Sequence, residues 1–153
     1  LTEWFLDHGA DPNAMCAWDF TPMSEAMCQA SLDTIRLLFD RGDNVERGQL
    51  LHNAVQRAAP DAIKLIRMLL DKGAPTNEIQ YDNHAPSWRD RCSFGLGTPL
   101  HYAAQDGRVE PVSFLLSRGA DATILDTKGR TVPQSAENYR QLDVIQLLRS
   151  RLN

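Results

Sequence analysis

The sequence predicts an all-α solenoid built from stacked helix-turn-helix units. Three observations point there. Glycines able to end a helix fall at Gly9, Gly42 and Gly73, 33 and then 31 residues apart. Thr-Pro pairs at Thr21-Pro22 and Thr98-Pro99 supply an N-cap oxygen and a first helical residue whose missing N–H costs nothing. An apolar run precedes each glycine. A fixed period in this range marks repeat proteins, in which each unit buries its apolar face only against its neighbours.

Residues 1–15 read as the second half of a unit: the end of a helix through Trp4 and Phe5, a stop at Gly9, then a loop. A chain that starts inside a unit is expected to be part of a longer protein, since Trp4 and Phe5 otherwise lack part of their neighbour. Residues 16–45 form a complete unit, with a first helix from Thr21-Pro22. A second helix follows from Ser31 and carries Ile35, Leu37, Leu38 and Phe39 to Gly42.

Residues 46–74 are a divergent unit that lacks the Thr-Pro pair. They run from Leu50-Leu51-His52 to Leu69-Leu70-Asp71 and close at Gly73-Ala74. Three extra residues are expected around Arg57 to Asp61, where Pro60 ends or begins a helix. Residues 75–97 are an inserted loop, because Gly73 to Gly119 spans 46 residues. Loops of this length in a compact domain are uncommon and often functional, and Tyr81, Trp88 and Phe94 argue for order within it.

Residues 98–125 return to the pattern as Thr98-Pro99-Leu100-His101-Tyr102-Ala103-Ala104, then Phe114-Leu115-Leu116 and Gly119-Ala120-Asp121. Residues 126–153 start from Asp126-Thr127-Lys128-Gly129-Arg130-Thr131. Their packing stripe is Val144, Ile145, Leu147 and Leu148, and Arg149, Ser150, Arg151 and Asn153 give the polar end that a capping unit needs. The Thr-Pro-Leu-His-x-Ala-Ala block, the second apolar run and the Gly-Ala-Asp ending together resemble an ankyrin repeat. The resemblance extends over the chain as a half repeat plus four repeats in a single domain. The repeat at 98–125 is nearest the family pattern, whereas the unit at 16–45 carries Met23, Ser24 and Gly42-Asp43-Asn44 in its place.

Composition narrows the function. The net charge is −4 at 153 residues, opposite to the basic footprint of nucleic-acid binders. No apolar run approaches the ~18 residues of a membrane span, and the N-terminus lacks the pattern of a signal peptide. Cys16, Cys28 and Cys92 are odd in number and irregularly spaced, which suits a reducing compartment; the expected location is cytoplasmic or nuclear.

Catalytic signatures are weak. Cys92 and His84 share the inserted loop but lack an orienting group, and no metal-ligand, phosphate-loop or nucleophile-elbow motif is present. Gly95-Leu96-Gly97 reads as a flexible return, and Asp43, Glu46, Asp61 and Asp71 as solvated faces and caps. The resemblance implies that His52 and His101 are structural imidazoles bonded to neighbouring loop backbone. No enzyme activity, cofactor or metal is expected.

The resemblance further implies a protein-interaction module that binds another protein or a peptide segment, with neither nucleic acid nor membrane as partner. Its surface would be the concave face of the first helices and the loop tips. On the first helices these positions are Cys28, Gln29, Gln56, Arg57, Gln105, Asp106, Asn138 and Tyr139; the tips bring Ala17, Trp18, Phe20, Thr127, Lys128 and Arg130. The residues expected to carry binding are Trp18, Phe20, Gln56, Arg57, Tyr81, Trp88, Arg89, Arg91, Phe94, Gln105, Asp106 and Tyr139, because aromatic and Arg anchors dominate interfaces. Trp18, Phe20 and Trp88 could instead pack onto the repeats. Two alternatives stand beside this reading: a regulatory or targeting appendage of an upstream enzyme domain, and a small-molecule pocket formed by the 75–97 loop.

Overall fold

A computed structural model describes residues 1–42 and 44–152. Asp43 and Asn153, expected in a solvated turn and in the polar end of the chain, lie outside the described residues. Ten α-helices and one 3-10 turn account for the regular structure there, with no strand among the described residues. The chain forms two compact units, Leu1–Ala74 and Pro75–Asn153.

In the first unit, α1 (Thr2–Asp7) is followed by the pairs α2 (Pro22–Gln29) with α3 (Leu32–Asp40) and α4 (Leu50–Gln56) with α5 (Ala62–Asp71). The caps form where the side-chain chemistry demands them. Thr21 Oγ1 accepts from the Ser24 N–H at 3.2 Å, and Ser31 Oγ from the Thr34 N–H at 3.2 Å. The α2 helix packs on α3 and α4, and α4 on α5. Met23, Met27, Ile35, Val55, Leu65, Ile66 and Leu69 are fully buried between them. Pro60 lies between α4 and α5, as a residue unable to continue a helix must.

In the second unit, α6 (Ala85–Arg91) and a 3-10 turn at Cys92–Phe94 precede two helix pairs. These are α7 (Pro99–Gln105) with α8 (Val109–Ser117), and α9 (Val132–Asn138) with α10 (Leu142–Leu152). The α7 helix packs on α8 and α9, and α10 on both α8 and α9. Ala103, Ala104 and Ala136 are fully buried, small side chains that let the paired helices approach. Val144 and Leu148 are buried from α10, while Ile145 and Leu147 are half-buried.

Two recurrent details locate the insertion. Asn13 Nδ2 donates to the Gly42 carbonyl at 2.9 Å across 29 residues, and Asn77 Nδ2 to the Gly119 carbonyl at 3.3 Å across 42. The excess of 13 is the inserted length, so it lies after Asn77. Residues 75–97 are also not a plain loop, since they contain α6 and the 3-10 turn.

The hairpin-like tips repeat as well. The Cys16 N–H donates to the Phe20 carbonyl at 3.1 Å, and the Asp126 N–H to the Arg130 carbonyl at 2.9 Å. Asp19, two residues before Thr21, has φ +53, and Gly129, two before Thr131, has φ +73. Asp19 holds a conformation that favours Gly because its buried carboxylate receives the Gly48 N–H at 3.1 Å and the Gln49 side-chain amide.

Candidate functional site

The inserted segment is an excursion closed at its base. The Gln80 N–H donates to the Gly97 carbonyl at 3.0 Å, and the Tyr102 hydroxyl donates to Gln80 Oε1. Burial pushes the Tyr102 phenol up to about 12, with the Gly97 backbone bond opposing it. Within the excursion His84 caps α6, its Nδ1 accepting from the Ser87 N–H at 3.3 Å and facing the Ser87 hydroxyl at 2.9 Å. The imidazole considered as a partner for Cys92 is thus engaged at the other end of the helix.

The returning segment of the excursion is locked to the next tip. The Leu96 N–H donates to Thr127 Oγ1 and the Thr127 N–H to the Leu96 carbonyl, both at 2.8 Å. A Cβ on Gly95 would meet Arg130 Nη2 at 2.7 Å and Lys128 Cγ at 3.2 Å, so the tip packs directly on that residue. Arg130 is held in turn by the buried Asp126, Nη2 to Oδ2 at 2.7 Å. Burial raises the Asp126 carboxyl, but bonds from the Arg130 N–H, its guanidinium and the Lys128 N–H outweigh it and leave the pKa lowered.

This scaffold presents Phe94 at 78% exposure, far above what a packing residue shows. Arg89 and Arg91 are exposed on α6, the Arg91 guanidinium lying 5.9 Å from the Tyr81 ring centroid. Trp88 and Tyr81 are half-buried. In the same unit Gln105 is half-buried, its carbonyl accepting from Gln141 Nε2 at 2.7 Å, while Asp106 and Tyr139 are exposed. Burial raises the Asp106 carboxyl pKa against the pull of Arg108.

The first unit carries the remaining expected residues. Trp18 and Phe20 flank Asp19 at 45% and 43% exposure, and Gln56 is exposed. Cys28 has its thiol pKa raised, first by burial and then by Glu25.

Arg57 requires a correction: expected on an exposed face, it is 5% exposed. Its guanidinium donates to the Met27 and Ala30 carbonyls at 3.1 and 2.8 Å, at the end of α2, and to both Asp61 oxygens. The extra residues between α4 and α5 set Asp61 four positions on, and the last-turn carbonyls of α2 need donors. Those two demands draw Arg57 inward.

The sequence places Thr127 at a tip without marking Leu96 as its partner, and it does not single out Gln80. Nothing in the local sequence signals that Gln80 meets Tyr102. Among the described residues no group of His, Cys, Asp and Glu could hold a metal ion, and no helix is long and apolar enough to cross a membrane.

The family profile described as Ankyrin repeats (3 copies) matches residues 51–153. A candidate E3 ubiquitin-protein ligase of Arabidopsis thaliana is 30% identical over 92 residues, covering 60% of this chain and 22% of that protein. The ankyrin repeat, SAM and basic leucine zipper domain-containing protein 1 of Dasypus novemcinctus is 27% identical over 127 residues, 79% of this chain and 24% of that protein. The Drosophila melanogaster ankyrin repeat and KH domain-containing protein mask is 33% identical over 113 residues, 72% of this chain and 2% of that protein. The chain therefore spans less than a quarter of the length of each of these relatives.

Proposed function

The chain belongs to the ankyrin-repeat family, and from that premise we propose that it recognises a partner protein or peptide through the 75–97 excursion and the adjoining tip. Ankyrin repeats are in general protein-protein interaction modules. The observation that carries this assignment is the exposure of Phe94 on a segment locked by the paired Leu96–Thr127 bonds. An aromatic carried on a backbone that is already fixed costs less ordering on binding, so more of its burial counts toward affinity. Arg89 and Arg91, exposed on α6 just before it in the chain, and Lys128, whose side chain lies against Gly95, add cations suited to a partner that pairs an apolar anchor with acidic groups.

Trp18, Phe20 and Gln56 in the first unit, and Gln105, Asp106 and Tyr139 in the second, are proposed as secondary contacts; Arg57 is not among them. The three free cysteines favour a cytoplasmic or nuclear setting.

The module reading also suits an appendage of a larger protein. Relatives named as E3 ubiquitin-protein ligases match over part of their length, 22% in the Arabidopsis case, so any enzymatic activity would sit outside the matched repeats.

Affinity capture followed by quantitative mass spectrometry tests the assignment. The intact chain is compared with the Phe94→Ser, Arg91→Glu double variant. Loss of a specific captured protein, with the thermal midpoint unchanged, is the expected result; identical captured sets would overturn it.

A further inference from the structure

The first unit carries a second surface, unlike the one just described. The exposed side of α5 places Lys64, Arg67, Met68, Asp71 and Lys72 at helical spacing along one face, and α3 sets Leu32 and Arg36 opposite. Together they line a groove of about 380 Å³. Leu32 and Met68 are half-buried, whereas Arg36, Lys64, Arg67 and Lys72 are exposed. The groove thus has an apolar floor and a cationic rim.

Its charge is opposed to that of the chain. Among the described residues the one carboxylate lining it is Asp71, and Asp33 pairs with Arg36 at 3.1 Å. Counting both, cations outnumber carboxylates four to two in a protein of net charge −4. Lys72 lies 4.5 Å over the Phe39 ring, which holds one ammonium at the edge between α5 and α3.

We propose that this groove docks an acidic peptide segment that also carries a large aliphatic side chain. Carboxylates of the segment would meet Lys64 and the net positive charge of the rim, while its aliphatic residue would lie on Leu32 and Met68. Both halves of that chemistry are needed: an apolar floor gains nothing from a bare anion, and a cationic rim gains nothing from an uncharged helix. An extended polyanion such as nucleic acid or an anionic bilayer fits less well. It would bring its charge against the rest of an acidic protein, with a pI near 5.5, whereas a short segment stays within the reach of the rim charges, about one Debye length.

Fluorescence anisotropy on the full chain tests this, with a labelled Glu-rich peptide bearing two central leucines. Its controls are the same peptide with Gln for Glu and a single-stranded oligonucleotide. The Glu peptide is expected to bind at least about tenfold more tightly than the Gln peptide, and to lose about tenfold in affinity for the Lys64→Glu, Arg67→Glu variant. Higher salt should weaken it, because these charges are exposed.

Circular dichroism verifies that the variant folds. Should it not, Lys64→Gln with Arg67→Gln repeats the measurement on side chains that leave the helix intact. Equal affinity for the variant, or equal binding of the Gln peptide, would overturn the proposal. Oligonucleotide binding as tight as that of the peptide, abolished by the same substitutions, would overturn the choice of partner.

Discussion

The Ser24 hydroxyl donates to the Gly48 carbonyl at 2.7 Å, and a side chain on Gly48 would overlap the Ser24 hydroxyl oxygen. In the second unit His101 stands at the corresponding place. Its Nδ1 accepts from the Thr98 N–H at 3.2 Å and its Nε2 reaches the Arg130 carbonyl at 3.1 Å, across 29 residues against 24 for Ser24. Ser24 performs both tasks with a much shorter side chain, accepting from the Thr21 N–H at 3.0 Å. The five-residue shortening of the loop and the absence of a Cβ at residue 48 bring the next carbonyl within reach of a hydroxyl.

This match predicts a difference between two glycines that both have positive φ. Gly48→Ala should cost about 3 kcal/mol, adding overlap with Ser24 and a 2.6 Å approach to Thr21 Oγ1 to the strain of φ +76. Gly73→Ala, with φ +90 and open space around it, should cost only about 1 kcal/mol. Urea unfolding of the two variants gives the comparison, and equal losses would show that the loop simply moves aside.

Arg57 predicts a strong distinction between Arg and Lys. Its Nε and Nη2 donate to Asp61 Oδ1 and Oδ2 at 2.8 and 3.1 Å while the same group satisfies two α2 carbonyls. A lysine cannot form this fork. Arg57→Lys should lower stability by about 2 kcal/mol and Arg57→Ala by about 3 kcal/mol, since two helix-end carbonyls and a half-buried carboxylate lose their donor. The thermal midpoint of each variant checks the order.

Acid should weaken the second unit before its carboxylates titrate. Burial lowers the His101 pKa from 6.5, against the Arg130 carbonyl and Asp126 which raise it. The unfolded chain therefore takes up the proton more readily than the folded one. The stabilisation is complete above about pH 6.5 and is lost as the pH falls below that value. His101→Gln should be less stable at pH 7 and show a flatter decline between about pH 6.5 and 5. Urea midpoints at the two pH values report the slope, and parallel slopes would remove His101 as the cause.

Tyr102 should act at the opposite end of the scale. With its phenol pushed up to about 12, the folded chain holds that proton more tightly than the unfolded chain, whose value is 10.0. Its contribution is intact below about pH 10 and is lost as the pH rises through about 12. Phenolate absorbance during alkaline titration should show one late-ionising tyrosine, absent in Tyr102→Phe.

Phe94 should separate binding from folding. At 78% exposure its replacement by Ser should leave stability within about 0.5 kcal/mol. Partner capture should nevertheless fall, and a large drop in the unfolding midpoint would instead make Phe94 a packing residue.

The helix starts, helix stops and repeat order were legible in the sequence because they depend on local chemistry. Thr21 and Ser31 cap the helices they precede, Pro60 separates two, and Gly9, Gly42, Gly73 and Gly119 take the positive φ that ends them. The length of the insertion also followed from counting between those marks. Its internal helix was harder to see, since α6 is short and starts from a histidine cap. The fate of individual polar and aromatic side chains was decided by partners far along the chain. Arg57 turned inward because the Met27 and Ala30 carbonyls, 30 and 27 residues earlier, lacked donors. Phe94 stayed outside because Leu96 and Gly95 are occupied by a tip 31 or more residues later. Local propensity determines where a helix begins and ends, but whether a side chain lies in the protein or faces a partner depends on which unsatisfied groups folding brings beside it.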